Sequence, residues 1–65
     1  MEINVDKLKV EMMNSCLNVK TLSEKSGVSQ PAINLILHHG RRARLDTIGK
    51  LAAALGVSGM ELIKA

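Results

Sequence analysis

The chain contains no phenylalanine, tyrosine or tryptophan. Any core must be built from Leu, Ile, Val, Met and Ala, and no flat ring is present on which an unpaired base could stack. That excludes the single-strand and RNA-recognition modules built on aromatic platforms, whereas double-helical DNA read through a groove needs none. Cysteine occurs once, as Cys16, so no disulfide within the chain can brace it, as expected for a reducing cytoplasm. With no second Cys and no activating base near it in sequence, Cys16 reads as a small residue flanking a turn. Long apolar runs are also missing. The longest, Leu51–Leu55, has five residues, far short of a membrane span. Asp6 and Glu11 come too early for a secretory signal, so a soluble cytoplasmic protein without membrane contact is expected. The adjacent His38 and His39 have no Cys partner and do not by themselves converge on one metal ion. There is no Gly-rich phosphate loop and no defensible Ser/His/Asp order, and a chain this small offers no deep pocket. Enzymatic activity, a metal, a cofactor and a small-molecule ligand are all therefore unexpected.

Sixty-five residues suit one small domain spanning residues 1–65. A chain of that size buries only ~60% of the surface its unfolded form exposes, so a partner subunit would help. The net charge is +3, but its placement says more. Between Lys25 and Leu45 there is no acidic residue, while Lys25, Arg41, Arg42 and Arg44 bring four positive charges. Residues 1–24 sum to −1 and residues 46–65 to zero. The surplus is either a solvated basic loop or, with the neighbouring motif considered, a surface for phosphate.

Helical spacing places a first helix over about Val5 to Asn14, with Val5, Leu8 and Met12 on one face. A second helix starts at the Asn18 cap and stops at Gly27, which can take the left-handed conformation of a tight exit. Val28 plugs the corner. Ser29 or Gln30 caps a third helix that runs to about Leu37, and Pro31 is tolerated in its first turn because the N–H it lacks would be unpaired there. Ile33 and Ile36 return an apolar face to the preceding helix. A fourth helix covers about Leu45 to Leu55, with Ile48, Leu51, Ala52 and Leu55 as its stripe. Gly56-Val57-Ser58 repeats the punctuation of Gly27-Val28-Ser29, and a short fifth helix is expected from Gly59 to about Lys64. Two helices joined by a Gly-containing turn, the second one capped, form a helix-turn-helix unit.

The stretch from Leu22 to Ile36 resembles the Cro and lambda-repressor-type helix-turn-helix family, also called the XRE family. Leu45-Asp46-Thr47-Ile48 looks like the start of that family's fourth helix, and Ala54-Leu55-Gly56-Val57-Ser58 with Glu61-Leu62-Ile63 like its ending. The resemblance covers Asn18 to Ile63 and implies an all-α, compact five-helix lambda-repressor-like domain, with helices two and three as the helix-turn-helix. It places Gln30 at the first base-reading position, with Pro31, Ala32, Asn34 and Leu35 on the same recognition helix, about residues 29–37. Gln30 could pair with adenine N6 and N7, and Asn34, one turn on, could meet a base or a phosphate. Pro31 and Leu35 stand where polar residues are common in the family. Leu35 could touch a thymine methyl, pack in the interior or meet a partner. Val19 replaces a frequent Gln, Leu37 a common Glu, and Gly40 is displaced by one position. Phosphate contacts fall to Asn18, Lys20, Thr21 and Ser29 around the helix ends and to Arg41, Arg42 and Arg44 beyond helix three; Gly27 and Val28 make the turn.

The function so implied is a sequence-specific regulator of transcription, of phage, mobile-element or bacterial repressor type. It binds double-stranded DNA as a homodimer on a near-palindromic operator, since one small domain makes few base contacts. Leu62 and Ile63, with Leu37, are candidate dimer surface, unless Leu62 closes the core of the monomer. The alternative is a protein-interaction module or antitoxin-like regulator that keeps the fold with weakened base reading. Val19, Pro31 and Leu35 favour it, and the acid-free basic segment opposes it.

Overall fold

A computed structural model of the protein describes residues 2–39 and 43–63. The order is α1 (Val5–Asn14), α2 (Val19–Ser26), α3 (Gln30–His39), α4 (Leu45–Leu55) and a closing 3-10 turn, Gly59–Leu62. α2 packs on both α3 and α4, and the 3-10 turn lies against α4 and α1.

Short polar side chains start the helices. Asn4 Oδ1 accepts from Lys7 N at 3.0 Å ahead of α1. At α2 the exchange is reciprocal: Asn18 Oδ1 accepts from Thr21 N at 2.8 Å, and Thr21 Oγ1 accepts from Asn18 N at 2.9 Å. Such a box satisfies two backbone donors that the helix cannot. Ser29 Oγ accepts from Ala32 N at 3.3 Å, so Ser29 rather than Gln30 caps α3, and Gln30 is the first helical residue. α4 starts at Arg44 without a side-chain cap.

Glycine ends two of the helices. Gly27 has φ 81° and Gly56 has φ 72°, both left-handed. α1 ends in the same way without a glycine, because Cys16 takes φ 56°. Leu17 N donates to Met12 O at 2.9 Å and Cys16 N to Met13 O at 3.1 Å, the pair of bonds that defines a Schellman turn. The cysteine is therefore the hinge residue of this turn and is exposed.

The core is wholly aliphatic. Leu8, Leu22, Ile33, Leu51 and Leu62 are fully enclosed, with Ile3, Met12, Val28, Ile36, Ile48 and Leu55 around them. None of the buried described residues is polar. Burying a Leu or Ile side chain contributes about 1.5–3 kcal/mol, which is what offsets chain entropy in so small a molecule.

Two expectations are corrected. The fifth helix is a four-residue 3-10 turn ending at Leu62, and Lys64 lies outside the described residues. The turn stops because its end is claimed from elsewhere: Asn4 N donates to Leu62 O at 2.7 Å, and Ile63, now extended, pairs with Ile3 in an antiparallel bridge. An α-helix continuing through Ile63 would forfeit both. Leu62, with 0% exposure, closes the core and offers no dimer surface, while Ile63 and Leu37 are half-buried against it.

Candidate nucleic-acid interface

α3 is amphipathic in a way that its packing makes concrete. Ile33 and Ile36 are buried, and Ala32 and Leu37 are half-buried against the core. Gln30, Pro31, Asn34, Leu35, His38 and His39 are exposed. At about 100° per residue these six fill roughly half of the helix circumference, opposite the buried pair. Pro31 and His38 point most directly outward, with Asn34 and Leu35 on the two shoulders. Of the expected base-reading residues, Gln30, Pro31, Asn34 and Leu35 thus share one face, whereas Ala32 turns to its edge and packs on the core.

The turn that aims this helix is set by three neighbours. Gly27 N donates to Ser23 O at 2.9 Å, Val28 N donates to the Ser26 hydroxyl at 3.1 Å, and Val28 is buried in the corner. No atom lies within 4 Å of where a Cβ on Gly27 would stand, so backbone conformation and not crowding requires glycine there.

At the amino end of α2, the N–H groups of Val19 and Lys20 have no intrahelical acceptor, and the helix dipole adds partial positive charge. Asn18 Oδ1 and the Thr21 hydroxyl are engaged with each other and with backbone, so neither oxygen is spare. The Asn18 amide nitrogen makes no hydrogen bond among the described residues and is a donor of the kind a phosphate accepts. Lys20 is exposed beside it. Val19 is half-buried against the core, which explains an apolar residue at that position. The Ser29 hydroxyl oxygen accepts the cap bond, which leaves its hydrogen to donate. Arg44 is exposed at the head of α4; Arg41 and Arg42 lie outside the described residues.

His38 was not among the expected contacts, although it stands two turns beyond Gln30 and Pro31 on the same side. The seven-residue spacing from Pro31 was the signal that could have found it. Among the described residues no cluster of His, Cys, Asp and Glu could hold a metal ion, and no helix is long and apolar enough to cross a membrane.

Residues 17–62 match the family described as helix-turn-helix. The chain belongs to that family, in its Cro and lambda-repressor (XRE) type. This is a family of DNA-binding domains and not of enzymes. No curated protein and no solved structure matches the chain. The helix-turn-helix unit comprises α2, the Gly27 corner and α3, and the match extends through α4 to the 3-10 turn.

Proposed function

We propose that this helix-turn-helix protein is a sequence-specific, cytoplasmic regulator of transcription. It places α3 in the major groove and acts as a homodimer on a near-palindromic operator. The observation that carries the proposal is the pairing of an outward half of α3, armed with Gln30 and Asn34, with a flanking segment rich in Arg and free of acid. Gln30 reads a base edge. Asn18, Lys20 and the amino end of α2 hold phosphate on one flank, and Arg41, Arg42 and Arg44 hold it on the other. Dimerisation supplies the specificity that a single short helix lacks, since each half-site then adds its own contacts.

The test is selection of bound duplexes from a random pool by the purified protein, followed by a salt titration on the enriched sequence. An inverted repeat is expected. If six phosphates are neutralised across a dimer, log K should fall against log salt with a slope of roughly −5. Gln30→Ala should relax preference at one base pair per half-site, at ~1–3 kcal/mol against the best site. Arg41→Ala and Arg42→Ala should weaken all sequences alike and flatten the salt slope. No enriched motif, and no binding at low salt, would remove the DNA-binding regulator.

A further inference from the structure

Three properties of α3 coincide on its outward half. Gln30 and Asn34 stand one turn apart and form a stripe of amides, and Pro31 and Leu35 run beside them with the same spacing. Arg, Lys, Asp and Glu are absent from the whole of α3. Leu35 is 61% exposed, although Ile33 and Ile36 of the same helix are buried in the core and Leu37 is half-buried against it. An apolar side chain is thus presented to solvent on one shoulder of the face that the family turns toward DNA.

Each base edge in the major groove calls for its own partner. Guanine O6 and N7 are read best by Arg or Lys, and the cytosine amino group by a carboxylate. Adenine N6 and N7 suit an Asn or Gln amide, and the thymine C5-methyl suits an apolar surface. α3 holds no Arg, Lys or carboxylate and has the last two kinds side by side in its first two turns, with the His38 imidazole one turn beyond Asn34. Adenine and thymine face each other in one base pair, so adjacent amide and apolar stripes match its two halves. Arg41, Arg42 and Arg44 follow the helix in sequence, and the reading above gives them to phosphate, contacts that carry no base information.

We propose that α3 is a reader of A·T base pairs, in which Gln30 and Asn34 bond adenine while Leu35, with Pro31, packs on thymine methyl groups. Leu35 is then a specificity-determining residue and not a surface flaw. The proposal rests on the DNA-binding reading above and deepens it.

Replacing thymine by deoxyuridine removes the methyl group and leaves every hydrogen-bonding edge unchanged. In the duplex enriched by selection, each thymine of the half-site would be replaced in turn and binding measured at fixed salt for wild type and Leu35→Ala. Because Leu35 is exposed, the variant should fold as the parent does, which a thermal melt checks. The half-site facing α3 should consist mainly of A·T pairs. At one or two positions deoxyuridine should weaken wild-type binding about fourfold, the factor for losing burial of one methyl-sized group. Leu35→Ala should bind thymine and uracil duplexes equally and keep the parental salt slope. A half-site dominated by G·C pairs would overturn the proposal and leave the regulator standing. So would indifference to uracil at every position, which would assign Leu35 to a protein partner. If no duplex is enriched and nothing binds at low salt, both readings fall together.

Discussion

Gly27-Val28-Ser29 and Gly56-Val57-Ser58 are the same tripeptide placed at two corners of one small fold. In both, glycine is left-handed and the serine hydroxyl caps the next element. The outcomes nevertheless differ: the first corner launches the ten-residue α3, and the second launches only a four-residue 3-10 turn. The exits differ as well. At the second corner Val57 N reaches back to Ala52 O at 3.0 Å and Gly56 N to Ala53 O at 3.2 Å, a full Schellman turn. At the first, the Ser26 hydroxyl takes the N–H of Val28, so the chain leaves α2 with a single backbone bond from Gly27. Leu55, which precedes Gly56, has no hydroxyl to offer. Beyond the corner, Pro31 in the first turn suits a helix start, whereas Gly59 weakens one. Finally, Leu62 O and Ile63 are claimed by Asn4 and Ile3, across nearly the whole length of the chain. A tripeptide sets the direction of a corner; its neighbours, near and far, decide what the corner starts.

The largest expected effect that probes this contrast comes from the glycines. Gly27→Val and Gly56→Val each force a β-branched residue into positive φ, costing about 1–3 kcal/mol. Both sites are open to a Cβ, so this strain is the main cost and both melting temperatures should fall. Only Gly27→Val should also weaken DNA binding of the folded fraction, because it alone sits between α2 and α3. If Val and the more tolerant Asn both leave the melt and binding at Gly27 unchanged, the corner is not set by that residue. Next, Ser26→Ala removes the hydroxyl that distinguishes the first corner and should destabilise by about 0.5–1.5 kcal/mol, measured by denaturant unfolding. No loss of stability would show that the Val28 N–H finds another acceptor. The smallest effect is expected at the third left-handed residue. Cys16→Gly should stabilise by up to about 1 kcal/mol, since glycine meets no Cβ penalty there. A thermal melt that moves down would show that the cysteine side chain contributes more than its backbone costs.

The caps at Asn18 and Ser58 and the stops at Gly27 and Gly56 were legible in the sequence because their chemistry spans three to six residues, whereas the cap of α3 was open between Ser29 and Gln30 until the Ser29–Ala32 bond decided it. The buried faces of α1 and α4 were legible for the same reason, through helical spacing. The truncated last element was not, because the residues that end it lie at the opposite end of the sequence. Cys16 was read as flanking a turn and not as its left-handed residue, since cysteine has no preference for that conformation. The apolar residues Met12 and Leu17 around it, buried and half-buried, are the Schellman pattern that could have located it. For the candidate interface, Gln30, Asn34 and Leu35 come from the family resemblance, and the sequence left Leu35 open between interior, DNA and partner. The exposure of Leu35 removes the interior from that choice.

Whether α3 and the amino end of α2 meet DNA, and the second glycine corner does not, is tested most directly by following backbone amide resonances during titration with the enriched duplex. The largest shifts should fall on residues 18–21 and on Gln30, Asn34, Leu35 and His38, with Gly56 to Met60 nearly still. Shifts concentrated on Gly56 to Met60, with the outward residues of α3 unmoved, would contradict DNA reading by this helix.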